Sequence, residues 1–297
     1  MFHQSGILGI GTTDHSFIEF NLRQPSAEAI AAIVEAVNLP TTAGANVVVG
    51  FKPSLWAQFA EAKDIPDNVH DFDEAIQGPD GFSMPATQCD GWLWVHASTR
   101  SQAFDVLKHL LKTLGGVLEL KTETTGWVYE SNRDLTGFED GTENPGLLEA
   151  PSVIAIPDGE PGAGSSVLLF QLWKHKSRAW EALPVEEQEL AMGRTKDESE
   201  ELDEEIMPDS SHVSRTVVEV DGEELEIYRR NVAYGDHREH GTVFVGFSFD
   251  QWRTEEMLRR MAGADGGPRD EITRFTEPVS GAWYVCPSID ALVKFLD

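Results

Sequence analysis

The stretch GFEDGTENP, residues 137–145, sets Glu139, Asp140 and Glu143 among two glycines and a proline. Carboxylates move protons or hold cations. Gly137, Gly141 and Pro145 exclude a regular helix or strand, so the segment reads as a shaped loop that aims an acid. Two other stretches carry complementary chemistry. SHVSR, residues 211–215, contains His212, whose neutral imidazole is a good iron ligand. RRN, residues 229–231, supplies Asn231 and Arg229, a permanent donor that can stabilise negative charge as it develops. Each residue alone also has a plain structural role: a turn aspartate, a capping or surface histidine, a basic strand end. Within the loop, Asp140 paired with Glu139 or Glu143 would suit a hydrolase working with two carboxylates at a fixed separation.

The elements that must position these residues follow from periodicity. HSFIEFNL (15–22), NVVVGF (46–51) and GWLWVHAS (91–98) read as strands. AEAIAAIVEAV has helical spacing with Ser26 as its N-cap, and Ser101 opens the amphipathic segment QAFDVLKHLLKTL. The second half runs in similar order: strand 166–175, helix 185–193, strand 242–250, helix 251–263, strand 281–285 and a last helix from Ser288. This order predicts an α+β protein of two β-α-β-β-α-β, ferredoxin-like halves, residues 1–135 and 136–297, the second carrying the site. Asp221-Gly222 predicts a type I′ hairpin. Carried outward in register, that hairpin would set Ser214 opposite Arg229 and His212 opposite Asn231.

Composition narrows the partners. The chain has 51 Asp plus Glu against 23 Lys plus Arg, a net charge of −28, which repels nucleic acid and anionic membranes. The run DESEELDEE (197–205) reads as a hydrated face, or alternatively as a cation site with Glu201, Glu204 and Glu205 as ligands. There is no long apolar run and no basic, apolar amino-terminal leader, so the expected location is the cytoplasm. Cys89 and Cys286 lack metal or disulfide spacing and read as buried small side chains.

Taken together, the motifs resemble those of the dye-decolourising peroxidases, in the bacterial branch that includes the YfeX-like and type B enzymes. GFEDGTENP is similar to that family's G-x-x-D-G signature. MPATQCDGWLWVHA (84–97), GRTK (193–196), SHVSR and RRN match further family stretches in the same order, so the resemblance covers essentially the whole chain. It implies a haem b (iron protoporphyrin IX) peroxidase that reduces hydrogen peroxide while oxidising small organic donors, or Mn²⁺. It also implies His212 as the axial iron ligand, supported by Asp270 or neighbouring Glu271. Asp140 would carry the proton, Arg229 stabilise charge, and Asn231 hold water or peroxide. Arg194, Gly141, Thr142 and Arg229 would contact the haem, with Glu139 and Glu143 as supports or as part of a metal site. Trp173, Trp180, Tyr228, Trp252, Trp283 and Tyr284 lie on elements of the second half as candidate electron relays, or as ordinary core packing. A homodimer or higher assembly is expected, and encapsulation is not implied, the chain stopping at KFLD. A haem-handling protein with the same His212 but no use for Asp140 and Arg229 is the alternative.

The charge makes the first prediction. At low ionic strength neutral phenols should be oxidised faster than sulfonated dyes, and added salt should narrow the gap by screening; steady-state rates across a salt series check it.

Overall fold

The computed structural model describes residues 1–296. Its frame is a ten-stranded antiparallel sheet: β1 (Asp14–Leu22), β2 (Ala45–Phe51), β3 (Gly91–Ala97), β4 (Leu118–Trp127), β5 (Ser166–His175), β6 (Tyr228–Arg229), β7 (Val232–Gly235), β8 (His240–Ser248), β9 (Thr276–Pro278) and β10 (Ala282–Cys286). The strands run in the order β6-β8-β7-β4-β1-β3-β2-β10-β5-β9, and a further pairing of β8 with β5 closes the sheet into a barrel. In the first half the order is β4-β1-β3-β2; in the second, β10-β5-β8-β7.

The strand sequences explain the layering. In SVLLFQLWKH of β5, Leu168 and Phe170 face the barrel interior with Phe17, Trp92, Trp94, Phe247 and Tyr284. Alternate residues Val167, Leu169 and Trp173 face outward into a second core. Both faces are covered, so the strand reads as a nearly continuous apolar run with no clean alternation. Three helices provide the covering: α1 (Ala27–Val37) and α2 (Arg100–Thr113) on the first half, and α4 (Gln251–Ala262) on the second, where α3 (His212–Thr216) packs against it. The interval between the β5 face and α4 is where a cavity opens.

Periodicity located most elements to within two residues, and Ser26 caps α1 by accepting from the Ala29 N–H at 3.1 Å. The start of α2 is a correction. Thr99, extended at φ −143°, is its N-cap and accepts from the Gln102 N–H, so Ser101 lies inside the first turn. The hairpin reading is corrected as well. Asp221 (φ 54°) and Gly222 (φ 83°) make the turn, and Glu219 pairs with Glu224 and Val220 with Glu223. The ladder then stops, because Ser211 caps α3 and turns residues 212–216 into helix. Tyr228 and Arg229 instead pair with Phe247 and Gly246 of β8, so His212 does not lie across from Asn231. Cys286 is buried as expected, whereas Cys89 is half-buried.

The cap assignment is directly testable. Thr99→Ala should destabilise the fold by about 1 kcal/mol while Ser101→Ala stays within about 0.5 kcal/mol; chemical denaturation of both variants separates them.

Candidate active site

A cavity of about 200 Å³ lies between the outward face of β5 and β8, helices α3 and α4, and the loop 134–143. Phe244, Met257, Leu258, Met261 and Ile272 give it apolar walls, and Asp140, Arg229, Asn231, His212 and Arg194 supply its polar groups. Four separate segments thus deliver the residues singled out from the sequence to one place.

The loop is anchored at several points. Phe138 is buried against Trp180, whose indole N–H donates to the Thr136 carbonyl at 2.9 Å. The Asp140 N–H donates to the Asn132 carbonyl at 2.9 Å, closing a short hairpin. Asn144 then ties the loop to the barrel. Its side-chain amide donates to the Arg229 carbonyl and accepts from the Arg229 N–H, both at 2.9 Å. Gly141 has φ +82°, and an added Cβ would sit 3.0 Å from the Asn144 amide nitrogen. The glycine is needed for the turn and for room beside Asn144.

Asp140 accepts from the Asn231 side-chain amide at 2.9 Å, and the Asn231 oxygen accepts from the Val245 N–H at 2.9 Å. Enclosure by protein pushes the Asp140 carboxyl above the usual aspartate value; the Arg229 guanidinium and the Asn231 hydrogen bond oppose the shift, and Asp134 adds to it. The Arg229 Nε is buried with no protein partner among the described residues. An orphaned donor beside a cavity is suited to an acceptor on a ligand.

His212 opens α3. Its Nδ1 donates to Asp270 Oδ2 at 2.7 Å, and Asp270, fully buried, also accepts the Ile272 N–H at 3.0 Å. With Nδ1 committed as donor, the Nε2 lone pair is free for a metal. Glu271, the other acid considered for this role, pairs with Arg274.

Arg194 spans the cavity rim. Its Nη2 pairs with Glu143 Oε1 at 2.7 Å and with Glu201, and its Nη1 donates to the Ser199 carbonyl at 2.9 Å. Glu143 is therefore held by a cation, and Glu139 is exposed, so neither joins Asp140 as a hydrolytic pair. No group of three His, Cys, Asp or Glu that would hold a metal ion occurs among the described residues. Glu224 joins this rim, its carboxyl raised by burial and then by Glu143 and Glu201.

The candidate relay aromatics divide. Trp173 lines the cavity. Trp180 braces the loop, Tyr228 and Tyr284 lie in the barrel interior, Trp283 is buried in the outer core, and Trp252 is 44% exposed on α4.

Family models for the Dyp-type peroxidase N-terminal and C-terminal regions match residues 35–128 and 131–291. The chain belongs to the Dyp-type peroxidase family. It is 38% identical over 232 residues to the dye-decolorizing peroxidase of Mycolicibacterium paratuberculosis, covering 76% of this chain and 65% of that one, just under two thirds. Over 270 residues it is 36% identical to the dye-decolorizing peroxidase of Mycobacterium tuberculosis, covering 89% and 79%. Among solved structures, DyPB from Rhodococcus jostii RHA1 superposes with a TM-score of 0.87 at 31% identity over 94% of each chain. Variants of that Rhodococcus protein have been solved in complex with heme, and one in complex with manganese.

In the sequence Asn144 stands out only as part of the GFEDGTENP motif. Its side-chain role carried one signal, an amide just before a proline at the end of a loop that must meet a strand. In this peroxidase Asn144→Ala strands two backbone groups of Arg229 and should cost about 1–3 kcal/mol. The peroxide reaction should slow because Asp140 and Arg229 lose their common register; denaturation and stopped-flow absorbance measure the two effects.

Proposed function

We propose that this Dyp-type peroxidase carries out its haem-dependent reduction of peroxide with Asp140 as proton carrier, Arg229 and Asn231 as its partners, and His212 as the iron ligand. The observation that carries the reading is the pairing of donor sets on one cavity: an imidazole fixed through Nδ1 by buried Asp270, and an acid held by Asn231 beside a guanidinium with an unpartnered buried Nε. The apolar walls from Phe244, Met257, Leu258, Met261 and Ile272 suit a flat, largely apolar macrocycle. His212 would hold the iron, Arg194 and Thr142 at the rim would meet the polar edge, and Arg229 would offer its unpartnered Nε as a donor. When bound, haem supplies the iron that activates hydrogen peroxide and passes oxidising equivalents to the donor.

The chain's own residues handle the proton. Ionised Asp140 takes a proton from the peroxide oxygen that will stay behind and returns it to the oxygen that departs as water. The Arg229 guanidinium donates to the departing oxygen as negative charge builds there. Asn231 fixes the carboxylate through Oδ2, leaving Oδ1 for the proton. Asp270 keeps the His212 ring from turning.

Donors too large for the cavity would be oxidised through Trp173 on its wall, and the negative charge at the rim would favour cationic donors, Mn²⁺ included, over anionic ones. We read the two halves as ferredoxin-like units, since each places its strands in the order fourth, first, third, second along the sheet. A homo-oligomer in the cytoplasm completes the proposal. No helix among the described residues is long and apolar enough to cross a membrane, and Leu148, 92% exposed beside the active-site loop, offers an apolar contact for a second copy.

Purified protein supplied with haem should show a strong Soret band that shifts on adding peroxide. Arg229→Leu and Asp140→Asn should each slow that shift by about 10²–10³-fold, and His212→Ala should weaken haem retention. Asp140 must be ionised to act, so the rate should fall as pH drops through its pKa. Because that pKa is raised, the fall should come at higher pH than for an ordinary aspartate, and Asp140→Asn should lack it. A Soret band inert to peroxide, or shifts of unchanged rate in both distal variants, overturns the assignment.

A further inference from the structure

Asp134 is a second carboxylate on the same hairpin as Asp140. The hairpin pairs Asn132 with Asp140, Arg133 with Glu139 and Asp134 with Phe138. Side chains alternate across a ladder, so Asp134 and Asp140 share a face as diagonal neighbours. Asp134 Oδ1 accepts the Thr136 N–H at 2.7 Å, and Oδ2 accepts from the Thr242 hydroxyl. That hydroxyl lies 3.0 Å from His175 Nε2. His175 is buried on β5, and burial holds its ring below the ordinary histidine pKa. With the Thr242 hydroxyl donating to Asp134, its oxygen is left to accept from the His175 Nε2–H.

A small separate cavity of about 10 Å³ touches the same side chains, being lined by Asn132, Asp134, Asp140, Asn231 and Thr242 among others. That is about the room one water needs, and the lining is polar enough to hold it. Asp140 faces Arg229, Asn231, His212 and Asp134; Asp134 faces His175 and Thr242, with His240 beside His175 and bonded to Ser177 at 2.6 Å. Among these groups only Asp134 brings a second negative charge to Asp140.

We propose that Asp134 is a positioning residue for the peroxide step, its carboxylate pinned by Thr242 and His175 so that it forms a coupled pair with Asp140 across a water-sized cavity. The fixed charge makes Asp140 a stronger base toward peroxide, and the water gives its proton a partner other than the substrate. The inference rests on Asp140 being the proton carrier.

The test is the haem-loaded protein and its Asp134→Asn, Asp134→Ser and Asp134→Glu variants, each checked by thermal melting and by the Soret band. Two readouts are followed against pH: the rate of the peroxide-driven spectral shift, and the infrared band of the protonated carboxyl that Asp140→Asn removes. Asp134→Asn should move both the acid limb and the band about one pH unit lower. Asp134→Ser, which keeps a short acceptor for the Thr136 N–H, should do the same, and Asp134→Glu, which keeps the charge, should leave both in place. A uniform loss of rate with limb and band unmoved means Asp134 is merely structural and overturns the proposal. A variant that loads no haem is read by the infrared band alone. If the limb persists in Asp140→Asn, the proton-carrier reading has failed, and the infrared shift still decides whether the two carboxylates are coupled.

Discussion

The active site depends on one side chain doing the work of a missing strand. The amide of Asn144 donates to and accepts from the backbone of Arg229 as a neighbouring strand would, which fastens an irregular loop to a rigid barrel. A loop alone fluctuates, and proton transfer needs its partners held to within a fraction of an ångström. Through that tie and the Asn231 bridge, the position of Asp140 is set by β6, β7 and β8. The barrel is stiff because its interior is filled by stacked aromatics, Trp92, Trp94, Phe17, Phe170 and Phe247.

A second constraint is the cost of buried charge. Asp270 has no exposure, and an ionised carboxylate there would be strongly destabilised without partners. It has two: the His212 ring, and the Ile272 N–H that it caps at the start of a short helical turn. The same bonds fix the histidine, so satisfying the acid and orienting the ligand are one act. Arg194 shows the exposed counterpart. Its pairs with Glu143 and Glu201 lie at the rim, where solvent screens them, and they add more to local order than to stability. The acidic run, read from the sequence as a hydrated face or a cation site, contributes Glu201 to that rim as a partner of Arg194.

The sequence was informative where local physics decides. Strands and helices came from the 2- and 3.6-residue periods, and Ser26 from the chemistry of N-caps. The Asp-Gly turn was legible for the same reason, since few residues adopt two successive positive φ angles. Reading failed one step beyond such signals. The hairpin from that turn was extended by alternation alone, but Ser211 offered its hydroxyl to the Ser214 N–H, and a helical turn displaced the strand. At α2 the sequence reading opened the helix at Ser101, but the extended backbone at Thr99 makes that residue the cap. His175, Thr242 and Asp134 carried no local signal at all; they come from β5, β8 and a loop and meet through tertiary pairing.

By itself the sequence determined the chemical inventory: an imidazole, a guanidinium, an amide and an aimed acid, on segments whose glycines and caps dictate their local shape. It also determined a large negative charge and the order of strands and helices, because these are properties of composition and short-range periodicity. The tertiary structure alone decided which groups meet. Closure of β5 on β8, the stacking of α3 and α4 over that face and the Asn144 tie bring residues more than ninety positions apart within hydrogen-bonding distance. Contacts of that kind depend on packing and register, which no local stretch of chain encodes.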